Sequence, residues 1–311
     1  MIRLESQGII MEYTLIQWMF FFYIYCFIGW IWECTYCSIV ERHLTNRGFM
    51  RGPVIPIYGC GTTVMLLVSA PFKDSLVLTF LAGAIGASLL EFITGALMEA
   101  LFKVRYWDYS HAPLNIHGYV CAGATFVWGV FAVLLTNIIH APIAYIESLI
   151  PMRYEQLIVL VVTMLFAADF SISFKAALDI RDILIRMENI KDEAERMQRR
   201  VDVILAVASD EKDKWIDRRQ AQLTDMLTSI ENVMNSAKDK IALPQSAREE
   251  LIELRTKAGM LKDRLLQMFS FRDNLNRLII KGNPGMVSKR FQTSLDELKQ
   301  YYNQNRKNKN K

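Results

Sequence analysis

Five runs of this chain, residues 16–40, 56–70, 76–101, 119–139 and 156–178, are apolar over about the length of a bilayer crossing, which takes ~20 residues of helix. From residue 179 onward no run is apolar enough to cross. The pattern predicts an all-α protein: a polytopic membrane helix bundle of about five transmembrane helices over residues 1–178, then a C-terminal cytoplasmic coiled-coil or helical-hairpin domain over 179–311. The run at 56–70 is the shortest and opens with glycines. The first run is too long for a secretory signal and no small-residue cleavage site follows it.

Loop charge sets the expected orientation. Arg42, Arg47 and Arg51 follow the first run, and Lys103 and Arg105 follow the third, whereas the alternate loops carry one basic residue each. The positive-inside rule then puts the N-terminus outside and the C-terminal domain in the cytoplasm of a plasma-membrane protein. Residues 179–311 carry 27 basic and 21 acidic residues against 9 and 11 in residues 1–178. That basic balance suits contact with an anionic lipid surface or an ordinary solvated surface. It does not argue for nucleic acid. Cys34 and Cys37 form a C-x-x-C without a matching second pair, so neither a metal site nor a cofactor is expected.

Four carboxylates, Glu33, Glu91, Glu99 and Asp169, lie in the apolar runs. A charge in lipid costs a few kcal/mol or more, so such residues mark partners or cavities. Glu33 shares a helix face with Cys26, Gly29 and Cys37; Glu91 lies in a ridge with Gly83, Ala87, Gly95 and Glu99. Both faces are small enough for close helix contact. Glu33 and Glu91 are therefore the primary candidates for a polar site in the inner half of the membrane. Glu99 and Asp169 are secondary, since each is placed to snorkel or to pair with Lys103 or Lys175.

Two irregular segments adjoin these runs. Residues 46–61 hold four glycines and two prolines yet stay apolar, so they are expected either to dip into the membrane or to serve as a tight connector. Asn46, Arg47 and Arg51 are its candidate binding residues, with glycine N–H groups able to approach an anion. In the second segment Asp108, Asn115 and His117 are candidates, beside Trp107 and Tyr109 as interface anchors.

The stretches Gly29-Trp30 with Glu33, Asn46-Arg47-Gly48-Phe49, Gly52-Pro53, Pro56-Ile57-Tyr58-Gly59, Glu91, Met98-Glu99, Phe102, Trp107-Asp108-Tyr109 and Asn115-Ile116-His117-Gly118 resemble the CmpB-like membrane family, over roughly residues 14–140. Tyr106 and Tyr119 stand where that family usually has tryptophan and arginine. Members are named as ABC-transporter permeases, so the resemblance implies transport. No G-x-x-x-x-G-K-[ST] phosphate loop is present, and an ATPase would have to be a separate subunit.

Beyond residue 179, Ile180, Met187, Ala194 and Val201 alternate with Ile183, Ile190, Met197 and Ile204 at heptad spacing. Leu223, Leu227, Ile230 and Met234 repeat the pattern, as do Leu251, Leu254, Ala258, Leu261 and Leu265. An intramolecular hairpin and a dimeric coiled coil both fit, and five crossings alone suggest homo-oligomers. Three functions are thus expected: a transporter permease embedded in the lipid bilayer, a membrane enzyme acting on lipid head groups, or a scaffold recruiting partners. No nucleophile–base signature supports the enzyme.

Overall fold

In the computed structural model the residues described are 13–42, 46–208, 227–228, 232, 245–270 and 273–309. Their regular elements are helices, with no strand among them beyond two isolated β-bridges. The helices are α1 (Leu15–Glu41), α2 (Pro56–Ser69), α3 (Leu76–Phe102), α4 (Ala122–Leu134), α5 (His140–Ser148), α6 (Met152–Ala208), α7 (Gln245–Ser270), α8 (Asp273–Gly282) and α9 (Gln292–Lys309). Four are long and apolar enough to cross a membrane: Leu15–Val40, Leu76–Phe102, Ala122–Ser148 and Met152–Ile204. The third of these is α4 and α5 joined by a π-turn at Leu135–Ile139. Pro142, which has no N–H to give the helix, follows that turn.

The chain divides into two compact units, residues 1–179 with 275–290, and residues 180–274 with 291–311. Helix α1 opens on a capping box, the Thr14 hydroxyl accepting from the Gln17 N–H while the Gln17 side chain accepts from the Thr14 N–H. It ends at Arg42 in the left-handed conformation. Ser75 caps α3, and Lys103, also left-handed, closes it.

The second apolar run differs from the other four. Helix α2 has only 14 residues, or ~21 Å of rise, short of the ~30 Å hydrocarbon layer. The irregular segment before it makes up the difference. The Arg47 N–H bonds the Cys34 sulfur at 3.1 Å, and the Ile55 N–H bonds the Cys26 carbonyl at 3.1 Å. Cys26 lies ~22 Å of helix back from Glu41. Residues 46–55 therefore run down the side of α1 as non-helical chain, and α2 continues from there, antiparallel to α1. Its end meets the start of α3, where the Thr79 hydroxyl donates to the Phe72 carbonyl. The broken segment and the short helix together cover the length that one crossing takes.

Close approach explains the register. A side chain at Gly29 would occupy the ring of Tyr58, and one at Gly83 would occupy the methyl of Ala132. In lipid, where apolar side chains gain nothing by leaving the solvent, such backbone contact is what holds helices together. Phe20, Phe21, Tyr25, Met65, Leu66, Ala87, Ala132, Leu135 and Val159 form the buried centre. Trp32, Ile39, Ile85, Leu89, Ile93, Phe126 and Leu165 are exposed along the same helices, as lipid-facing residues are.

In the second unit the carboxy-terminal part of α6 pairs with α7. Lys257 reaches Glu193 at 3.3 Å and Arg200 reaches Glu250 at 2.8 Å. The two numbers of each pair have the same sum, which makes the helices antiparallel neighbours within one chain. Met187, Ala194, Met197, Val201, Leu251, Leu254, Ala258 and Leu261 are buried there. Of the middle heptad run only Leu227 lies among the described residues, where it is buried.

Candidate functional site

The ends of α1 and α3 that carry the basic residues come together with the irregular segments. Phe49 packs on Phe102, Tyr106 and Phe170. Residues of the returning segment join them: the Asn283 amide donates to the Gly48 carbonyl at 3.0 Å, Ser288 donates to the Lys103 carbonyl, and Val287 exchanges both backbone hydrogen bonds with Arg105. Behind this layer lies a cavity of about 390 Å³ between the broken crossing, α3, α4 and α6. Phe49, Leu97, Met98, Leu101, Phe102 and Phe174 are among its apolar walls. Its charged lining residues are Glu33, Arg47 and Glu91.

The two carboxylates are held differently. Glu33 accepts from the Tyr58 hydroxyl at 2.6 Å and lies 3.5 Å from the Arg47 guanidinium, so a cation matches its charge. Glu91, only 6% exposed, accepts from the Trp128 indole at 3.1 Å and the Tyr109 hydroxyl at 3.3 Å. Both donors are neutral, and burial followed by the Glu91 charge pushes the Tyr109 phenol well above its ordinary range, so it keeps its proton. Among the described residues no Lys, Arg or His pairs with Glu91.

Glu99 and Asp108 belong to a separate cluster around Arg105, which is 3% exposed. The Arg105 Nε donates to Glu99 and Nη1 to Asp108 at 3.0 Å, while its guanidinium stacks 4.5 Å from the centre of the Tyr119 ring. Tyr119 in turn donates its hydroxyl to Glu99 at 2.6 Å. Burial works against the guanidinium charge, but the two carboxylates outweigh it and raise its affinity for the proton. Burial likewise works against the Asp108 charge; the Ser110 hydroxyl and N–H and Arg105 together overcome it and hold Asp108 below the usual carboxylate range. Gly118 closes the cluster at φ +79, where a Cβ would meet Ser110, Arg105 and Asp108.

The remaining candidates shape the loops. Asn46 accepts from the Trp30 indole at 2.7 Å and donates to the Arg51 carbonyl, while the Arg51 residue itself is exposed. Asn115 donates to the Ser110 and Ala112 carbonyls and accepts from the Gly118 N–H. His117 is exposed, left-handed at φ 54, with its ring edge-on to Phe92. Asp169 accepts from the Gly52 N–H at 2.8 Å, so its partner is the broken crossing rather than Lys175. Of the ten candidates the cavity thus gathers Glu33, Arg47 and Glu91. Tyr58 and Trp128 were not singled out by sequence, although each donates to a cavity carboxylate. An apolar run carrying a Tyr or Trp opposite an unpaired acid is the signal that would have found them.

Among the described residues no group of three or more His, Cys, Asp or Glu is disposed to hold a metal ion. The cavity residues other than Asn283 all fall within the stretch 20–174, which matches a family model described as "Putative ABC-transporter type IV". No curated protein and no solved structure matches the chain.

Proposed function

With residues 20–174 placing the membrane part of this chain in the CmpB family, we propose that it is the membrane component of an ABC-type transporter and that the cavity beside the broken crossing receives the substrate. One observation carries this reading. A space of about 390 Å³ opens inside an otherwise apolar bundle, and its wall presents Glu33, Arg47 and Glu91. The volume is within the ~300–1,000 Å³ of small-molecule sites. Non-helical chain at membrane depth is tolerated where it lines a cavity, and Arg47, Gly48, Phe49 and Ile55 of the broken segment do so.

The orientation proposed is N-terminus outside and helical hairpin in the cytoplasm of a plasma-membrane protein, which puts the Glu33–Glu91 cavity in the inner half of the bilayer. Energy would come from a separate ATPase subunit docking on the cytoplasmic side, and homo-oligomers would complete the path. The hairpin of α6 and α7, continuous with a crossing helix, favours a second reading in which the protein recruits partners. A lipid-directed enzyme has less support, because Asp108 and His117 have their contacts away from Glu33 and Glu91.

An untargeted comparison of lipids and solutes between cells with and without the protein tests the transport reading. Ala87→Trp fills the cavity from α3. The expected outcome is that the solutes shifted by the wild-type protein return to background with this variant at equal protein level. A variant that shifts them as the wild type does would remove the cavity from the mechanism.

A further inference from the structure

Charge on the cavity wall is unbalanced in one direction. Arg47 answers Glu33, whereas Glu91 is satisfied only by the neutral hydroxyl of Tyr109 and the neutral indole N–H of Trp128. Those two donors take one lone pair on each carboxylate oxygen and leave the others available. The aromatic rings of Tyr58, Trp107, Tyr109 and Trp128 line the same space, and ring faces attract cations. The rest of the lining is mainly aliphatic or phenyl, with Cys60, Thr62, Thr94, Tyr106 and Asn283 its other polar side chains, none of them charged. A carboxylate without a counter-ion, ringed by aromatics and backed by apolar walls, complements a positive centre on an apolar body.

We infer that the cavity binds lipophilic organic cations, with Glu91 as the counter-charge. This rests on the cavity being the substrate site and names its ligand class. Anionic amphiphiles are disfavoured: the one guanidinium there is already committed to Glu33, and Glu91 would repel them. Inorganic cations are disfavoured as well, since the apolar walls offer them no replacement for their hydration shell.

The test uses the full-length protein in nanodiscs, with tetraphenylphosphonium as probe and tetraphenylborate, of similar size and opposite charge, as its counterpart. Saturable binding of the phosphonium is expected, weakened at least about tenfold by Glu91→Gln and retained by the charge-conserving Glu91→Asp. Arg47→Gln, which frees the Glu33 charge, is expected to leave binding intact or tighten it by about severalfold. Equal binding of the borate, or a Glu91→Gln variant that binds the phosphonium like the wild type, overturns the proposal. So does the lack of saturable phosphonium binding by the wild type. If the Ala87→Trp variant still abolishes the solute changes in cells in that event, the cavity keeps its transport role and only the cation class falls.

Discussion

Arg105 shows how a charge is accommodated beside a membrane. It is almost fully buried yet meets two carboxylates and an aromatic face, with its own backbone pinned by Val287. Replacing it by Gln would leave Glu99 and Asp108 facing each other without a cation, a loss of ~2–3 kcal/mol after allowance for the partial exposure of both acids. Arg105→Lys should rescue little, because an ammonium cannot direct separate N–H groups to Glu99 and Asp108 in the same geometry. Thermal unfolding of the purified variants measures both. The pH dependence follows from Asp108. Its depressed proton affinity in the folded protein means its stabilising effect is complete above its unfolded value and is lost as the pH falls through the lower folded one. The melting difference between wild type and Asp108→Asn should therefore be constant near neutrality and vanish in acid below the usual carboxylate range.

At the scale of elements, the contact between α1 and α2 depends on a missing side chain. Gly29→Leu would drive a branched chain into the Tyr58 ring and lift α2 off α1, disturbing the hydroxyl that Tyr58 gives to Glu33. Overpacking of this kind costs ~1–3 kcal/mol or more, and a lower melting temperature should appear together with loss of cavity binding. Gly123 is the contrast. It sits in the first turn of α4 with nothing within 4 Å of an added Cβ, so Gly123→Ala should be neutral or stabilise by up to ~1 kcal/mol. Sequence made the long helices legible, because a continuous apolar run of that length has few other stable states in lipid. It also marked residues 46–61 as irregular. What it left open was whether they connect or descend, since the bonds that decide this, from Arg47 to Cys34 and from Ile55 to Cys26, link positions 13 or more residues apart. The partners of the acids were hidden for the same reason: Trp128 lies 37 residues from Glu91.

For the whole molecule the broken crossing decides the parity of the chain. If residues 46–69 cross, Arg42 at the end of α1 and the 70–75 turn lie on opposite faces of the membrane. With native cysteines blocked, a membrane-impermeant maleimide should label Asp74→Cys from outside intact cells and Arg42→Cys only after permeabilisation. Labelling of both from one side would mean that α2 turns back without crossing, and the proposed orientation would fall with it. The hairpin itself was visible as heptads because side chains every three and four residues record a buried stripe. The return of residues 275–290 to the first unit was not, since Gly282-Asn283-Pro284-Gly285 reads as an ordinary turn, and its bonds to Gly48 and Lys103 carry no local pattern.

That return has a consequence for how the protein is made. The Asn283 amide and the Gly48 carbonyl it binds are separated by 235 residues. At ribosomal speeds of about 5–20 residues per second, Gly48 is synthesised roughly 10–50 s before the side chain that will bind it. During that interval the crossing helices can already be in the bilayer while the wall of the cavity still lacks its last support. A nascent chain stopped short of residue 283 should thus be inserted but unfinished, with residues 46–55 open to protease. Completion of the site would then report that the chain has been translated through Ser288 and that residues 275–290 have returned to the first unit.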